Sequence, residues 1–521
     1  MKTRIFLLII LISFLFCGKM ESTNNTVPDN GIIVNAGFEK GGSTQSPEGW
    51  VSTGDVDADF TVKKGQNGTM CLEHSKSSPY NVLTSQTITI TEPGYYSLTG
   101  WFTNSGGQNS CYLLVNDYGG QTLMTSLPVS FSWTKVIIRG IHITAGKCTI
   151  GIQSDANGKN WCRVDDLSLV KDDLEYQFLK GGDISELSYI ESMGGKFYEN
   201  GEKKDALRIL KDNGFNLVRV RLYNDPGNPG FTPSNRLPSG FQDPADILRL
   251  SKRSKELGLK ILLTFYYSDY WSNDKTHLWQ NISFSALKDS VYQFTFSFMN
   301  KMKAQGTTPE FVSLGNEIAG GILKPEGSSS NFASLAELLK QGYNAVKAAS
   351  PSTRVVLHLD DAGNRDKYDW FFGHCYSYGV QYDIIGASYY PFWTKKTVAE
   401  MGSWAEYVSE KFQKDILIME TGYNWNPVLP DGKAGQLSNN GPYENIYPSS
   451  PEGQLDFLYE CFNGIKNVKN GRVIGDIYWD PVMIEVPGVG WELGADNVVS
   501  NTTLFDFNGN ALKALKAFRF N

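Results

Sequence analysis

Hydrophobic and polar positions follow two different patterns along the chain, and the change falls between residues 172 and 176. From residue 31 to residue 172, short runs of β-branched and aromatic residues alternate with polar ones, and Gly, Asn and Ser separate the runs. This alternation is typical of strands with one buried face. The clearest runs are 86–90, 95–101, 111–115, 133–138 and 148–152. Because no long helical period separates them, the sequence predicts an all-β jelly-roll sandwich over residues 31–172.

From residue 176 to residue 521, apolar runs alternate with amphipathic segments. In the segment 335–349, apolar residues recur at helical spacing, and 205–212 and 244–257 are similar. The apolar runs between such segments are 179–184, 216–222, 259–266, 310–315, 354–358, 383–388, 415–419 and 473–478. Eight strand–helix units predict a (β/α)8 TIM barrel over residues 176–521. A doubly wound sheet is the alternative, but no G-x-G-x-x-G motif follows the first run.

The first thirty residues predict export. Lys2 and Arg4 precede an apolar run, 5–16, that is too short to span a bilayer, so residues 1–16 are predicted to be a signal peptide. Cys17 follows at once, in a context that resembles a bacterial lipoprotein cleavage site, and residues 17–30 resemble a polar tether. We expect a lipid-anchored protein at the cell surface or facing the periplasm; without lipidation of Cys17 it would be secreted.

Composition narrows the class of partner. A formal net charge of -7 argues against nucleic acid and against an anionic membrane surface. The aromatic share of 13% is high, and flat aromatic faces pack well on the C–H faces of sugar rings. With five His and no CxxC spacing, a zinc centre is not expected. We therefore expect a polysaccharide partner, no cofactor for the chemistry, and a monomer that meets a membrane only through its N-terminal anchor.

Two glutamates stand where apolar runs end, at the predicted mouth of the barrel. Glu317 follows the fourth run, and Glu420 ends the seventh. A bare buried carboxylate is costly, so each must be paired, solvated or functional. A glycosidic bond breaks when one carboxylic acid protonates the departing oxygen while a second carboxylate meets the positive charge at the anomeric carbon. The pair therefore predicts glycoside hydrolysis, with retention if the carboxyl groups lie about 5–5.5 Å apart and inversion if they are farther apart.

The motifs from about residue 178 to the C-terminus resemble those of glycoside hydrolase family 53, the arabinogalactan endo-β-1,4-galactanases. The motifs are GDISE at 182–186, VRVRLYNDP at 218–226, YSDYW at 267–271, LGNEIAGG at 314–321, LHL at 357–359, IGASYYPFW at 385–393, ETGY at 420–423, YWDP at 478–481 and LFDFNG at 504–509. The resemblance implies a retaining enzyme that cleaves internal β-1,4-galactosidic linkages of galactan and type I arabinogalactan. It further implies that Glu317 is the acid/base and Glu420 the nucleophile. The third run departs from the family, with Thr264 and Tyr266 where Asp and His are usual.

The resemblance and the strand-end positions also imply a set of substrate-binding residues. Arg219 and Arg221 share one face of a strand, and at least one of them is expected to orient the Glu420 carboxylate. Trp425 is an additional candidate platform for a sugar ring. The other expected contacts are Asp183, Asn224, Asp269, Trp271, Asn316, His358, Tyr389, Tyr390, Trp393 and Trp479.

The N-terminal part resembles jelly-roll carbohydrate-binding modules in its opening segment, 35–39 with Trp50, and in its closing segment, 161–167. That resemblance implies glycan binding and a structural calcium ion near Asn35, Glu39 and Asp166, since calcium prefers carboxylate and amide oxygens. A purely structural spacer is the alternative.

Two alternative functions stay open for the barrel. One keeps the mechanism and changes the substrate to mannan, xylan or β-glucan; the motifs argue against it. The other is a surface glycan-binding protein with a dead barrel, against which the presence of both Glu317 and Glu420 argues.

Overall fold

The computed structural model describes residues 32–519 except 43–44, 67–68, 121, 128, 172–177, 228–235 and 469. The predicted signal peptide, Cys17 and the tether lie outside the described residues, and so does the predicted boundary between the two parts of the chain. Among the described residues, no helix combines the length and the apolar character that a membrane span needs.

The N-terminal part forms two five-stranded antiparallel sheets. One has the order β1-β4-β9-β6-β7 and the other β2-β3-β10-β5-β8. A hydrophobic core contains buried residues of both sheets, such as Leu113 and Ile150 from the first and Leu98 and Val164 from the second, and this arrangement suggests the predicted sandwich. The strands are β1 Val51–Gly54, β2 Asp59–Val62, β3 Cys71–Ser75, β4 Tyr80–Thr89, β5 Gly94–Asn104, β6 Gln108–Asn116, β7 Leu123–Ser126, β8 Ser130–Ile143, β9 Lys147–Ala156 and β10 Trp161–Lys171.

The C-terminal part is a closed barrel of parallel strands, which confirms the predicted TIM barrel. Nearly every residue in these strands is buried, because the barrel interior covers one face and the helices cover the other. In chain order around the barrel the strands are β11 Leu179–Asp183, β14 Leu217–Leu222, β15 Lys260–Phe265, β16 Phe311–Leu314, β17 Arg354–Leu359, β18 Ile384–Tyr389, β19 Asp415–Thr421 and β20 Val473–Tyr478. The hairpin β12 Phe197–Glu199 and β13 Glu202–Lys204 lies outside the barrel.

The helices around the barrel begin and end at residues that satisfy free backbone groups. Thr397 and Glu400 form a capping box at the start of α8, and α4 begins at the N-cap Ser283 and ends at Gly306, whose φ is 80°. The helices are α1 Leu187–Ser192, α2 Ala206–Asp212, α3 Pro244–Glu256, α4 Phe284–Gln305, α5 Phe332–Ala349, α6 Arg365–Ser377, α7 Pro391–Thr394, α8 Val398–Phe412 and α9 Pro451–Lys466.

The two parts meet at the N-terminal end of the barrel strands. Arg139 on β8 lies 3.3 Å from the carboxylate of Asp415, the first residue of β19. Ser126 donates its backbone N–H to Glu410 of α8 over 3.2 Å. Active sites of such barrels lie at the opposite end, where the strands finish. The N-terminal sheets therefore contact the face of the barrel that is remote from its mouth.

Candidate active site

A sharp turn after β16 positions Glu317. Gly315 has φ of 86°, and a Cβ there would lie 2.5 Å from a methyl carbon of Ile318, so the position requires glycine. Glu317 itself has φ of 48°, a left-handed conformation that non-glycine residues seldom adopt and that is concentrated at functional sites. The turn brings the Glu317 side chain into the mouth of the barrel.

An extra residue in β19 directs Glu420 into the same space. On β18 and β19, Ala387 pairs with Ile418 and Ser388 pairs with Glu420, so Met419 has no partner in the register. Met419 packs in the barrel interior, and strict alternation would turn Glu420 outward. The bulge therefore re-aims the carboxylate, as bulges beside functional sites commonly do.

Both carboxylate oxygens of Glu420 accept hydrogen bonds. Arg219 donates from Nη1 to Oε1 over 2.7 Å, and the Tyr390 hydroxyl donates to Oε2 over 3.0 Å. Arg219 also donates from Nη2 to the side-chain oxygen of Asn316 over 2.6 Å and from Nε to Thr264 over 3.1 Å. The planar guanidinium of Arg219 thus holds the side chains of Glu420 and Asn316 in fixed directions, and Asn316 directly precedes Glu317.

Glu317 and Glu420 converge at the barrel mouth. One carboxylate oxygen from each lies within 4.8 Å of the other. Burial and the neighbouring Glu420 carboxylate raise the pKa of Glu317 to about 8, against smaller lowering effects from Ser388 and Arg219. Glu317 therefore carries a proton at neutral pH.

The ligand atoms of Glu317, His358 and Glu420 all lie within 4.8 Å of one another, the kind of arrangement that could hold a metal ion. Arg219 and Tyr390, however, already occupy both oxygens of Glu420, and Ser388 lies 2.8 Å from Nε2 of His358. A cation here would lie close to the positive charge of the buried Arg219 guanidinium, which would repel it. The donor set therefore fits a pair of carboxylates better than a metal centre.

A cavity of about 560 Å³ opens above the two glutamates. Trp393 stands at its edge with 55% of its surface exposed, whereas Trp479 is buried and Trp271 half-buried. The lining residues are Trp271, Asn316, Glu317, Asp360, Asp361, Ser388, Tyr390, Trp393, Thr394, Glu420, Gln436, Trp479 and Trp491. Seven of the residues expected from the sequence are therefore brought together around this cavity.

A buried ionic layer lies beneath the cavity. Arg221 pairs with Asp183 over 3.1 Å, and it also hydrogen-bonds Glu186. Asp183 lies 3.4 Å from Arg219 as well, so it links the two arginines. Arg221 also lies under Trp271 and Trp479, with its guanidinium 4.3 and 4.5 Å from their ring centres. Asp183 and Arg221 thus support the site from below and do not line the cavity.

Four further expected contacts lie away from the cavity. Tyr389 faces the helices, as alternation with Ser388 and Tyr390 requires, and donates to the backbone oxygen of Lys396 over 3.0 Å. Asp269 instead accepts hydrogen bonds from the backbone of Asp225 and His277, and so orders a loop. Asn224 lines a different cavity. Trp425 packs against Phe507 in a loop, and none of these four residues lines the cavity above the two glutamates.

Some residues at the cavity were missed in the sequence. Asp360 and Asp361 directly follow β17 and Ser388 lies within β18, so the strand-end argument that selected His358 could have found them. His358 itself is fully buried and contacts Ser388 rather than the cavity. Thr394, Gln436 and Trp491 come from α7 and two long loops, where no local pattern predicts an approach to the site.

A (β/α)8 barrel with two convergent carboxylates at strands four and seven, one protonated and one held by an arginine, defines a glycoside hydrolase site. A family model described as glycosyl hydrolase family 53 matches residues 179–518, more than half of the chain. The chain belongs to glycosyl hydrolase family 53.

Similar proteins agree with this assignment. The endo-beta-1,4-galactanase of Bacillus subtilis (strain 168) is 28% identical over 393 residues, which cover 69% of this chain and 89% of that protein. The arabinogalactan endo-beta-1,4-galactanase of Cellvibrio japonicus (strain Ueda107) is 30% identical over 365 residues, which cover 66% of this chain and 90% of that protein. The solved catalytic domain of the same family from Ignisphaera aggregans is 33% identical with a TM-score of 0.62, covering 67% of this chain and 97% of that domain.

Proposed function

We propose that the protein is an endo-acting, retaining β-1,4-galactanase that cleaves internal linkages of galactan and type I arabinogalactan. Its membership of family 53 and the galactanase names of its relatives support the substrate. The observation that carries the mechanism is that one carboxylate oxygen of Glu317 lies within 4.8 Å of one of Glu420, the close approach that direct attack on the anomeric carbon requires.

The proposed reaction has two steps. In the first, Glu317 gives its proton to the glycosidic oxygen, while a Glu420 oxygen bonds to the anomeric carbon and the C–O bond to the leaving sugar breaks. In the second, the Glu317 carboxylate takes a proton from a water whose oxygen displaces Glu420 from the same carbon. Arg219 and Tyr390 hold Glu420 for both steps, and loss of the Glu420 charge after the first step favours ionisation of Glu317 for the second.

The experiment uses linear β-1,4-galactan with the wild type, Glu317→Gln, Glu420→Gln and the control Glu337→Gln. Glu337 lies on α5, where its partners are Lys288 and Lys340. The wild type and the control should release oligosaccharides of mixed length early, with the β-anomer formed first by proton NMR, and the two site variants should lose activity by at least about a hundredfold. A wild type that binds galactan without cleaving it would instead support the dead-barrel hypothesis, and a first-formed α-anomer would refute retention.

We infer that the N-terminal part is a jelly-roll sandwich that binds glycan. Its two antiparallel sheets over a shared core support the architecture. Phe131 is 77% exposed and lies edge-on to Trp161, with 6.0 Å between ring centres, which gives this part an accessible aromatic surface.

We also propose a structural calcium ion in the sandwich, close to Asn35, Glu39 and Asp166. The support is a concentration of negative charge: the neighbouring Asp165 is buried, and within the described part of the chain its hydrogen-bond donors are backbone N–H groups, those of Gln66 and Asp166. Burial and the nearby Asp166 and Glu39 raise the pKa of Asp165 to about 7. These oxygens are the ligands that calcium prefers, although Asn35 and Glu39 each already accept a backbone N–H.

Export, lipid anchoring through Cys17 and a monomeric state are proposals that rest on the sequence. The charged and apolar segments of residues 1–16 support export.

A further inference from the structure

A short chain of hydrogen bonds runs from the barrel interior to Glu317. The Ser388 hydroxyl donates to Oε1 of Glu317 over 2.7 Å, and Nε2 of His358 lies 2.8 Å from the same hydroxyl. His358 is fully buried and Ser388 is 2% exposed. The two residues lie on neighbouring strands, β17 and β18, whose backbones fix the distance between their side chains. Ser388 and His358 therefore have little freedom to rearrange.

The positions of the protons in this chain follow from counting donors. A serine hydroxyl has one hydrogen, and Ser388 uses it toward Glu317. Nε2 of His358 must then be the donor to the Ser388 oxygen. The other ring nitrogen, Nδ1, is buried with no partner among the described residues, and a buried N–H without an acceptor is rarer than a buried lone pair without a donor. Burial and Arg219 hold the pKa of His358 well below its usual value, so the ring carries one proton, on Nε2.

We infer that Ser388, oriented by His358, is a positioning residue that keeps the acid proton of Glu317 on Oε2, the oxygen available to the glycoside. The inference rests on the proposed function. Oε1 already accepts the hydrogen of the Ser388 hydroxyl. A proton on Oε1 would therefore point at that hydrogen, unless every hydrogen bond from Glu317 through Ser388 to His358 reversed its direction. Oε2 has no hydrogen-bond partner among the described residues, and Glu317 lines the cavity. The acid is thus held in the orientation that protonates the leaving oxygen.

The dependence of kcat/KM on the leaving group distinguishes a role of Ser388 in positioning the acid proton from a purely structural role. The substrates are aryl β-galactobiosides with either a dinitrophenol, which leaves without protonation, or an unactivated phenol. Ser388→Ala should lower kcat/KM for the unactivated substrate by about ten- to a hundredfold, part of what general acid catalysis contributes, and that for the dinitrophenyl substrate by less than about threefold. Ser388→Thr, which keeps the hydroxyl, should restore most of the activity. Equal losses on both substrates, or no loss on the unactivated one, would overturn the inference.

The matched control is Ser251→Ala. Ser251 on α3 is fully buried, and its hydroxyl has no hydrogen-bond partner among the described residues. This control removes the same atoms from a buried site far from the chemistry, so both substrates should be cleaved at wild-type rates. A wild type that cleaves neither galactan nor the galactobiosides would refute the proposed function and not this inference.

Two measurements test the inference further. The charged groups that face Glu317 are Glu420, Asp360 and Arg219. With these unchanged, loss of the Ser388 donor should raise the pKa of Glu317, so the alkaline limb of kcat/KM should move to higher pH in Ser388→Ala; no movement, or the opposite one, contradicts the role. Independently of activity, 15N NMR of the His358 ring, assigned by its loss in His358→Asn, should show the proton on Nε2, and a proton on Nδ1 would overturn the assignment.

Discussion

Replacing Arg219 with lysine tests whether the nucleophile depends on a planar fork of donors. Arg219 donates to Glu420, Asn316 and Thr264 through three different nitrogens, and it is fully buried. Lysine keeps the positive charge, but its ammonium is a single point that cannot hold several diverging oxygens in fixed directions. We therefore expect Arg219→Lys to retain one of these contacts and to lose the alignment between Glu420 and Asn316.

The size of the effect follows from the number of bonds lost. Hydrogen bonds that involve a charged group contribute about 1.5–3 kcal/mol each. Loss of two of the three therefore costs roughly 3–6 kcal/mol. Since about 1.4 kcal/mol changes a rate tenfold, the expected loss in kcat/KM on galactan lies between about a hundredfold and ten-thousandfold.

The matched control is Arg221→Lys. Arg221 lies two residues along the same strand, is equally buried, and pairs with Asp183 and Glu186 rather than with either barrel-mouth glutamate. Both variants should lower the melting temperature to a similar degree, because both disturb buried ion pairs. Reducing-sugar assays should then show a kcat for Arg219→Lys at least about tenfold below that of Arg221→Lys. Equal kcat losses in the two variants, or wild-type kcat in Arg219→Lys, would refute the reasoning.

Two further predictions follow from the carboxylates. Glu317 must be protonated for the first step, so kcat/KM on galactan should fall as the pH rises through about 8. The Asp360 charge helps to raise the pKa of Glu317, so Asp360→Asn should move this alkaline limb of the pH profile to lower pH. An alkaline limb at the wild-type pH would count against an effect of Asp360. If the sandwich holds calcium, a calcium chelator should lower its melting temperature and Asp165→Asn should abolish that response; identical melting curves with and without chelator would rule the ion out.

The barrel could be predicted from sequence because its strands are buried on both faces. A parallel strand of this kind appears as a continuous apolar run, and the run 473–478 coincides with β20, while the others agree with the observed strands to within two residues at either end. The ends of the fourth and seventh runs then located Glu317 and Glu420, whereas Arg219 and Asn316 were selected with the help of the family resemblance. The starts of helices could also be predicted, since Asp205 and Pro244 mark the starts of α2 and α3.

The side-chain directions were harder to predict, because they depend on register. Simple alternation from Met419 would turn Glu420 away from the cavity, and only the extra residue in β19 brings it back. The sequence could not distinguish the roles of the adjacent Tyr389 and Tyr390, although Tyr389 packs in the core around the barrel and Tyr390 lines the cavity. Trp491 reaches the cavity from a long loop, so its place depends on tertiary packing alone.

The unequal surroundings of the two glutamates explain how two identical side chains take opposite roles in one cavity. Glu420 receives a guanidinium and a phenol hydroxyl on its two oxygens, which is an arrangement suited to a charged nucleophile. Glu317 receives one serine hydroxyl, and burial beside the Glu420 charge keeps it protonated. Arg219 hydrogen-bonds Glu420 and not Glu317, so Glu420 suits the role of the nucleophile, and Glu317, whose pKa is raised, suits that of the acid. The assignment of the two roles therefore depends on Arg219, and a substitution of Arg219 should disturb the acid Glu317 as well as the nucleophile Glu420.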